Sequence, residues 1–369
     1  MTKENNKNIL FLINSLQIGG AENTFVKQAN YLSKQNVNVY FGILATSNKK
    51  NFHDQLQVKV TDFNFRGIFD WQAYRRLQKY IKQHKIDTAY ATLDNANIVA
   101  RMAKLFCPGL FVVIRESGMA DRKSWKIKLS DIVLNSIVNK VIAVSSHVKK
   151  SLKDYQGIYA RRMVVLPNGV EAFSNQKELS LKFTEGKKSF DILNVGSMKN
   201  SNKGQGNLIK ILHQLKQKHS DLDIRLILIG DGKLRKDFQD LVDKYNLKRQ
   251  VVFTGMLDKV ELNKYYSTAN VFILNSDNEG CPNVVLEAMS FGLPVISTKV
   301  GGTTEMIKDG QSGYLVNSRD HDTIKKSILN LYHDQALQQS MGQQAIDRIQ
   351  AHFLFAGQMK KLINILNLK

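Results

Sequence analysis

The chain has 369 residues, 53 Lys and Arg against 32 Asp and Glu, a formal net charge of +21, and 43% hydrophobic residues. At roughly 100–200 residues per domain this fits about two domains with apolar cores, and it excludes wholesale disorder. The longest apolar runs, such as Ile9–Ile13, are far short of the roughly 20 residues that span a bilayer, and Asn14-Ser15 ends that run too early for a signal peptide. Cys107 and Cys281 are too few for a disulfide framework or a zinc site, so a reducing cytoplasmic setting is expected. The basic excess, larger in residues 1–180, suits nucleic acid, anionic lipid or phosphorylated small molecules, and by itself does not choose among them.

Strand-like and helix-like stretches alternate almost throughout. Asn8–Ile13 reads as a strand and Ala21–Ser33 as a helix, with Ala21, Phe25, Ala29 and Leu32 at helical spacing. Val37–Leu44 returns to a strand pattern, Trp71–His84 to a helix, Thr88–Leu93 to a strand and Ala96–Phe106 to a helix. Phe111–Ile114 and Val138–Val144 are strands. The rhythm restarts at Phe190–Val195, followed by helical Gly206–Lys218, strand Ile224–Ile229 and helical Leu234–Tyr245. Further segments are Val251–Thr254, Val260–Thr268, Val271–Leu274, Val284–Ser290, Pro294–Ser297 and strand-like Gly313–Val316. Asp320–Lys369 is nearly all helix-forming. Such alternation predicts parallel sheets covered by helices on both faces, an α/β fold. The expected organisation is a first Rossmann-like domain over 1–174, a linker over 175–189 and a second such domain over 190–350. Residues 351–369 are expected to form a helix crossing back to the first domain. Ligands of open α/β sheets sit beyond the strands' carboxyl ends, so two facing sheets predict a cleft.

Asn275–Thr298, NSDNEGCPNVVLEAMSFGLPVIST, is the most informative stretch. A strand ends near Asn275, a polar loop follows, and Pro282 stands where a helix begins, a position suited to its missing N–H. Gly292 suits the helix end and Pro294 bars continuation. This leaves backbone N–H groups near Gly280, Cys281, Pro282, Asn283 and Val284 as a site for an anion such as a diphosphate. Glu279 and Glu287 flank it, and carboxylates suit sugar hydroxyls.

EGCPNVVLE resembles the E-x7-E motif of retaining glycosyltransferases with the GT-B fold, in the large family 4 group (glycosyl transferases group 1). GLPVIST, GGTTEMI and DGQSGYLV follow in that family's order, and NSLQIGGAE, IAVSSHV and VVLPNGVE are similar to its first domain. The resemblance implies two Rossmann-like domains facing each other across a cleft and transfer of a sugar from a UDP-sugar with retention, without a metal. It gives Glu279 the donor sugar's hydroxyls and Glu287 the ribose. Gly19 and Gly20 would bring backbone close to the reacting groups, with Glu22 favouring the helix dipole behind them. FDILNVGSMKNSNKGQG corresponds to the loop that usually carries one Arg and one Lys to the diphosphate. Lys203 matches the Lys, Ser197 stands where the Arg is common, and the role passes to Lys199, the nearest cation. Gly230, Gly232, Met256 and Leu257 would frame the nucleoside, and Asp231 fits either a turn or a ligand.

Many members carry a His after the fourth strand; AYATLDNANIVARMA has none. Asp94, Asn95, Arg115 and Glu116 are the polar candidates there, and Asp94 and Asn95 equally fit helix caps. His84 and His147 read as structural. Arg122–Asn139 reads as one amphipathic helix. Arg122, Lys123, Lys126 and Lys128 beside Trp125 fit an anionic membrane surface or, alternatively, a helix packed on its own domain with a solvated basic end. The preferred acceptor is a polyprenyl-diphosphate-linked glycan at the inner face of the cell membrane, for a surface polysaccharide or glycoprotein. The alternatives are a UDP-sugar 2-epimerase, a non-catalytic member of the fold, and a basic nucleic-acid-binding protein. For the last, no aromatic-basic groove motif is found, and no nucleic acid partner is expected.

Overall fold

The computed structural model describes residues 7–17, 19–46, 55–156, 161–172 and 189–368. Within 175–189, where a linker is expected, all but Ser189 lie outside the described residues. The chain divides into two compact units, Met1–Asn168 with Ala356–Lys369, and Gly169–Phe355. No helix among the described residues is long and apolar enough to cross a membrane.

The first unit carries a seven-stranded sheet ordered β3-β2-β1-β4-β5-β6-β7, every pair parallel. Its strands are β1 (Lys7–Ile13), β2 (Val37–Ile43), β3 (Val60–Asp62), β4 (Thr88–Thr92), β5 (Phe111–Glu116), β6 (Lys140–Ala143) and β7 (Met163–Val165). The helices α1 (Gly20–Leu32), α2 (Trp71–Gln83), α3 (Asp94–Phe106), α4 (Trp125–Leu134) and α5 (Ser146–Gln156) connect them. Ile9 to Ile13 are all buried, which explains a continuous apolar run rather than alternation: both faces of β1 are covered. Phe11 packs against Phe25, Phe41 and Tyr90 at ring separations of 4.8–6.1 Å. The three-residue strands β3 and β7 escape the sequence pattern because they are too short to show a period.

The second unit has six parallel strands ordered β10-β9-β8-β11-β12-β13. They are β8 (Phe190–Val195), β9 (Ile224–Ile229), β10 (Val251–Gly255), β11 (Val271–Leu274), β12 (Val295–Thr298) and β13 (Gly313–Val316). Around them run α6 (Gln205–Lys218), α7 (Arg235–Lys244), α8 (Lys259–Thr268), α9 (Asn283–Ser290), α10 (Thr303–Met306), α11 (His321–His333) and α12 (Gln335–Arg348). Val170 belongs here through backbone bonds with Phe353 and Phe355, each 2.9 Å.

One expected helix is corrected. Arg122–Asn139 is not continuous: a 3-10 turn spans Ala120–Arg122, α4 spans Trp125–Leu134 and a second turn spans Asn135–Ile137. The backbone at Lys123 is extended, since its side chain is drawn into the interior.

The last helix, α13 (Phe355–Ile365), belongs almost wholly to the first unit. Its Met359 and Leu362, with Leu366 beyond, are buried, and Thr88 Oγ1 donates to the Leu366 carbonyl at 3.5 Å. Leu362→Ala should therefore destabilise the first unit by about 2–5 kcal/mol, read from urea unfolding; a change within error would show that this helix adds little to that core.

Candidate functional site

In the second unit the carboxyl ends of the strands bring separate loops together. Strand β11 is buried throughout, and the chain then passes through buried Asn275 and Ser276 to Glu279 and into α9. Pro282 is the N-cap of α9, extended at φ −72° and ψ 108°, and makes no side-chain cap hydrogen bond. A helix start of this kind presents N–H groups and the positive end of its dipole to an anion.

Two backbone contacts hold the Glu279 loop. Gly301 sits at φ 52°, and a Cβ there would stand 1.8 Å from the Glu279 carbonyl oxygen, while the Gly302 amide donates to the Gly280 carbonyl at 2.8 Å. Opposite, Ser201–Lys203 forms a 3-10 turn that ends at Gly204, φ 70°, where a Cβ would meet the Asn275 carbonyl oxygen at 2.0 Å. The Asp277 amide donates to the Asn202 carbonyl at 2.8 Å. Glycine at 204 thus lets two loops touch, and the touch delivers Lys203 Nζ to Glu279 Oε1 at 2.6 Å. The Lys203 side chain is 32% exposed and that of Glu279 11%.

Glu287, one turn into α9, is half-buried and accepts from the hydroxyl of Tyr266 at 3.1 Å. Burial, reinforced by the Glu287 charge, raises the Tyr266 hydroxyl well above its ordinary range, so it stays protonated as donor. Gly230 and Gly232 pack on the β8 loop, with Cβ positions 2.1 Å from the Gly196 carbonyl oxygen and 2.3 Å from the Met198 carbonyl carbon. Asp231 makes its turn by accepting from the Gly232 amide at 2.7 Å, and it pairs with Arg235 at 3.1 Å. Lys199 and Met256 are exposed on these loops, and Leu257, Gly280, Cys281 and Asn283 are half-buried. Among the described residues no group of three or more His, Cys, Asp and Glu could hold a metal ion.

In the first unit Gly19 is the extended N-cap of α1, Gly20 opens the helix, and the Glu22 carboxylate folds over Gly19, 2.3 Å from where a Cβ would lie. Asp94 and Asn95 are the first two residues of α3 and do not cap it. Leu93 is the N-cap, and the Ala96 amide is bound by Asn14 Oδ1 at 2.9 Å. The capping alternative is thereby corrected, and Asn14 takes that role. Leu93 itself stands at φ 73° and ψ 150°, a region almost reserved for glycine.

Two further corrections concern Glu116 and Lys123. Glu116 is buried, so it presents no carboxylate to a substrate in this structure. Lys123 is buried too, not part of an outer basic surface. Its Nζ lies 2.8 Å from Glu116, 2.8 Å from Asp131 and 3.6 Å from the half-exposed Asp94. Arg101 is the second buried cation on Asp131. Burial alone would lower the Lys123 pKa, yet the Glu116 and Asp131 carboxylates outweigh it and hold the ammonium form. Burial raises Glu116 against the pull of Lys123, while Lys123 and Arg101 overcome burial at Asp131 and keep it low.

The side of α4 away from Asp131 and Leu134 faces outward. Trp125, Leu129, Ile132 and Val133, one helical stripe, are 70%, 54%, 46% and 65% exposed. Lys126 Nζ lies 5.7 Å from the Trp125 ring centre, and Lys128 Nζ lies 4.1 Å from that of Tyr155. The side chain of Arg122 lies outside the described residues.

Comparison with known proteins decides the family. Residues 175–348 match the model of glycosyl transferases group 1, and residues 18–172 that of glycosyltransferase family 4. A Methanocaldococcus jannaschii protein described as an uncharacterized glycosyltransferase is 30% identical over 76% of this chain and 75% of its own. The chain is a group 1 glycosyltransferase. A Campylobacter jejuni undecaprenol-linked-glycan alpha-1,4-N-acetyl-D-galactosaminyltransferase is 26% identical over 92% of this chain and 93% of its own. The crystal structure of Anabaena HepE with UDP superposes with a TM-score of 0.85 at 20% identity, covering 98% and 99% of the two chains. The fold of this glycosyltransferase is GT-B.

The sequence reading missed Tyr266, Gly301 and the Lys123 cluster in this enzyme. Gly301 lies in the GGTTEMI segment, where the glycine pair was the available signal; nothing local marks Lys123 as buried. Asp131→Asn should cost about 3–5 kcal/mol, since it strips a carboxylate from two buried cations. Because Asp131 is held low in the fold, its contribution is present above about pH 4 and is lost as pH falls through its folded value. Acid unfolding of the Asn variant should therefore be shallower there than that of the wild type, and equal slopes would contradict the assignment.

Proposed function

We propose that this glycosyltransferase moves a sugar from a UDP-sugar, with retention, to a hydroxyl of a growing polyprenyl-diphosphate-linked glycan. The observation that carries the reading is the convergence of Lys203 and Glu279 beside the start of α9. A diphosphate leaving group needs its developing charge offset; Lys203 and the α9 amides supply fixed positive potential there without a metal. Lys199 on the neighbouring loop adds a second, solvated cation. Glu279 accepts from the sugar's hydroxyls, and Glu287, oriented by Tyr266, accepts from the ribose. The backbone near Met256 and Leu257 meets the base. The acceptor hydroxyl attacks on the side the diphosphate leaves and passes its proton to a leaving-group oxygen.

The first unit holds the acceptor, with Asp94 and Asn95 as its polar groups at the catalytic edge, while Gly19 and Gly20 bring backbone to the donor's reacting sugar or phosphate. The undecaprenol in the Campylobacter relative's name supports a lipid-linked acceptor, and the UDP of the Anabaena complex supports the nucleotide. A lipid-linked acceptor places the enzyme at the cytoplasmic face of the membrane as a peripheral protein. The α4 stripe suits that role: four outward apolar side chains with Lys126 and Lys128 beside them match an anionic bilayer surface.

Incubation with a panel of UDP-sugars should release UDP when a lipid-linked glycan is supplied, and silence of every donor with every such acceptor would contradict the reading. Lys203→Ala should weaken UDP binding by roughly ten- to a hundredfold, the weight of a charge-assisted contact; equal affinity would remove Lys203 from the site. Replacing Trp125 and Leu129 by Ser and Lys126 and Lys128 by Glu should lower binding to anionic liposomes at least about tenfold. Unchanged co-sedimentation would leave α4 without its membrane role.

A further inference from the structure

The cation expected to meet the diphosphate and the carboxylate expected to meet the sugar are bonded to each other, Lys203 Nζ to Glu279 Oε1 at 2.6 Å. Loop collapse does not account for this contact, because both partners are held from their backbones. Gly301 and Gly302 pack on the Glu279–Gly280 backbone. On the other side Gly204 packs on Asn275, and Asn200 caps the Lys203 turn by accepting from the Asn202 amide at 3.2 Å. Contacts other than the ion pair therefore hold both loops in place.

We infer that Glu279 serves as an exchangeable counter-ion for Lys203, so that donor binding is a swap. The diphosphate takes Lys203, and the displaced Glu279 turns to the sugar hydroxyls of the same molecule. This deepens the donor reading above and rests on it. The swap discriminates between substrate and product. A UDP-sugar offers the freed carboxylate hydroxyl donors, which compensate for its lost ammonium partner. UDP alone lacks that sugar, its ribose hydroxyls being taken by Glu287, and leaves an anionic carboxylate largely sheltered from water beside an anionic diphosphate. Glu279 thus competes with UDP for Lys203 and favours departure of the spent nucleotide after transfer. Lys suits the exchange, since its ammonium is a point charge with three rotatable donors rather than a fixed fork.

The test is UDP affinity by calorimetry in a double-mutant cycle on the full chain: wild type, Glu279→Gln, Lys203→Met and the double variant. Glu279→Gln keeps the size and hydrogen-bonding reach of the side chain, so near-native thermal unfolding accompanies each measurement. It should bind UDP about fivefold more tightly than wild type, the scale of a partly exposed ion pair, although it removes the carboxylate meant for the sugar. In the Lys203→Met background the same substitution should gain clearly less, since the competition for Lys203 is gone and only the repulsion between carboxylate and diphosphate remains to be relieved. Equal or weaker UDP binding by Glu279→Gln would overturn the swap, and so would a full gain without Lys203, which would reduce Glu279 to a general repulsive charge. If wild type fails to bind UDP at all, the donor reading falls and the swap with it, a result distinct from either of these.

Discussion

The backbone at Gly301 runs so close to Glu279 that any side chain there would strike its carbonyl oxygen, and the donor-side geometry depends on that approach. It ties the end of β12 to the loop after β11 and fixes the path of the chain into Pro282. With that path set, α9 opens at the carboxyl edge of a parallel sheet, just past β11. The approach of Gly204 to Asn275 does the same from the β8 side and brings in the cation. Two glycines in left-handed conformations thus convert three strand ends, far apart in the chain, into one electrostatic arrangement.

The first unit solves a different problem. Its α4 segment leaves a run of large apolar side chains outside, so interior contacts must hold it to the sheet. Asp131 and Lys123 do so through a buried ionic cluster with Arg101 and Glu116. Desolvating so many charges is costly, and the cluster adds less to net stability than to uniqueness of placement: losing one member strands the others. It also reaches Asp94, whose backbone follows the strained Leu93 at the end of β4. Strain of that kind is sustained only where the surroundings over-determine it.

Much of this was legible in the chain. The alternation of apolar runs with helical spacing gave both parallel sheets, because buried parallel strands are written as continuous apolar segments. Pro282, Gly292 and Pro294 punctuate α9 strongly enough to mark the donor loop. Other features were hidden for physical reasons. A lysine in a basic, Trp-bearing segment looks solvated unless its three carboxylate partners are known, and these come from α3, β5 and α4. Tyr266 sits on α8, and only the packing of α8 against α9 shows that it orients Glu287. Asp94 and Asn95 fit caps as well as site groups because capping is a common use of these residues at a helix start; Asn14, from the β1 loop, already fills that place.

The central claim is that the start of α9 receives a diphosphate, and a crystal structure of the chain grown with UDP tests it most directly. The account predicts phosphate oxygens within hydrogen-bond distance of the backbone amides at Asn283 and Val284, with Lys203 turned from Glu279 to the diphosphate. Nucleotide density elsewhere on the chain, or an intact Lys203–Glu279 pair beneath a bound diphosphate, would contradict it.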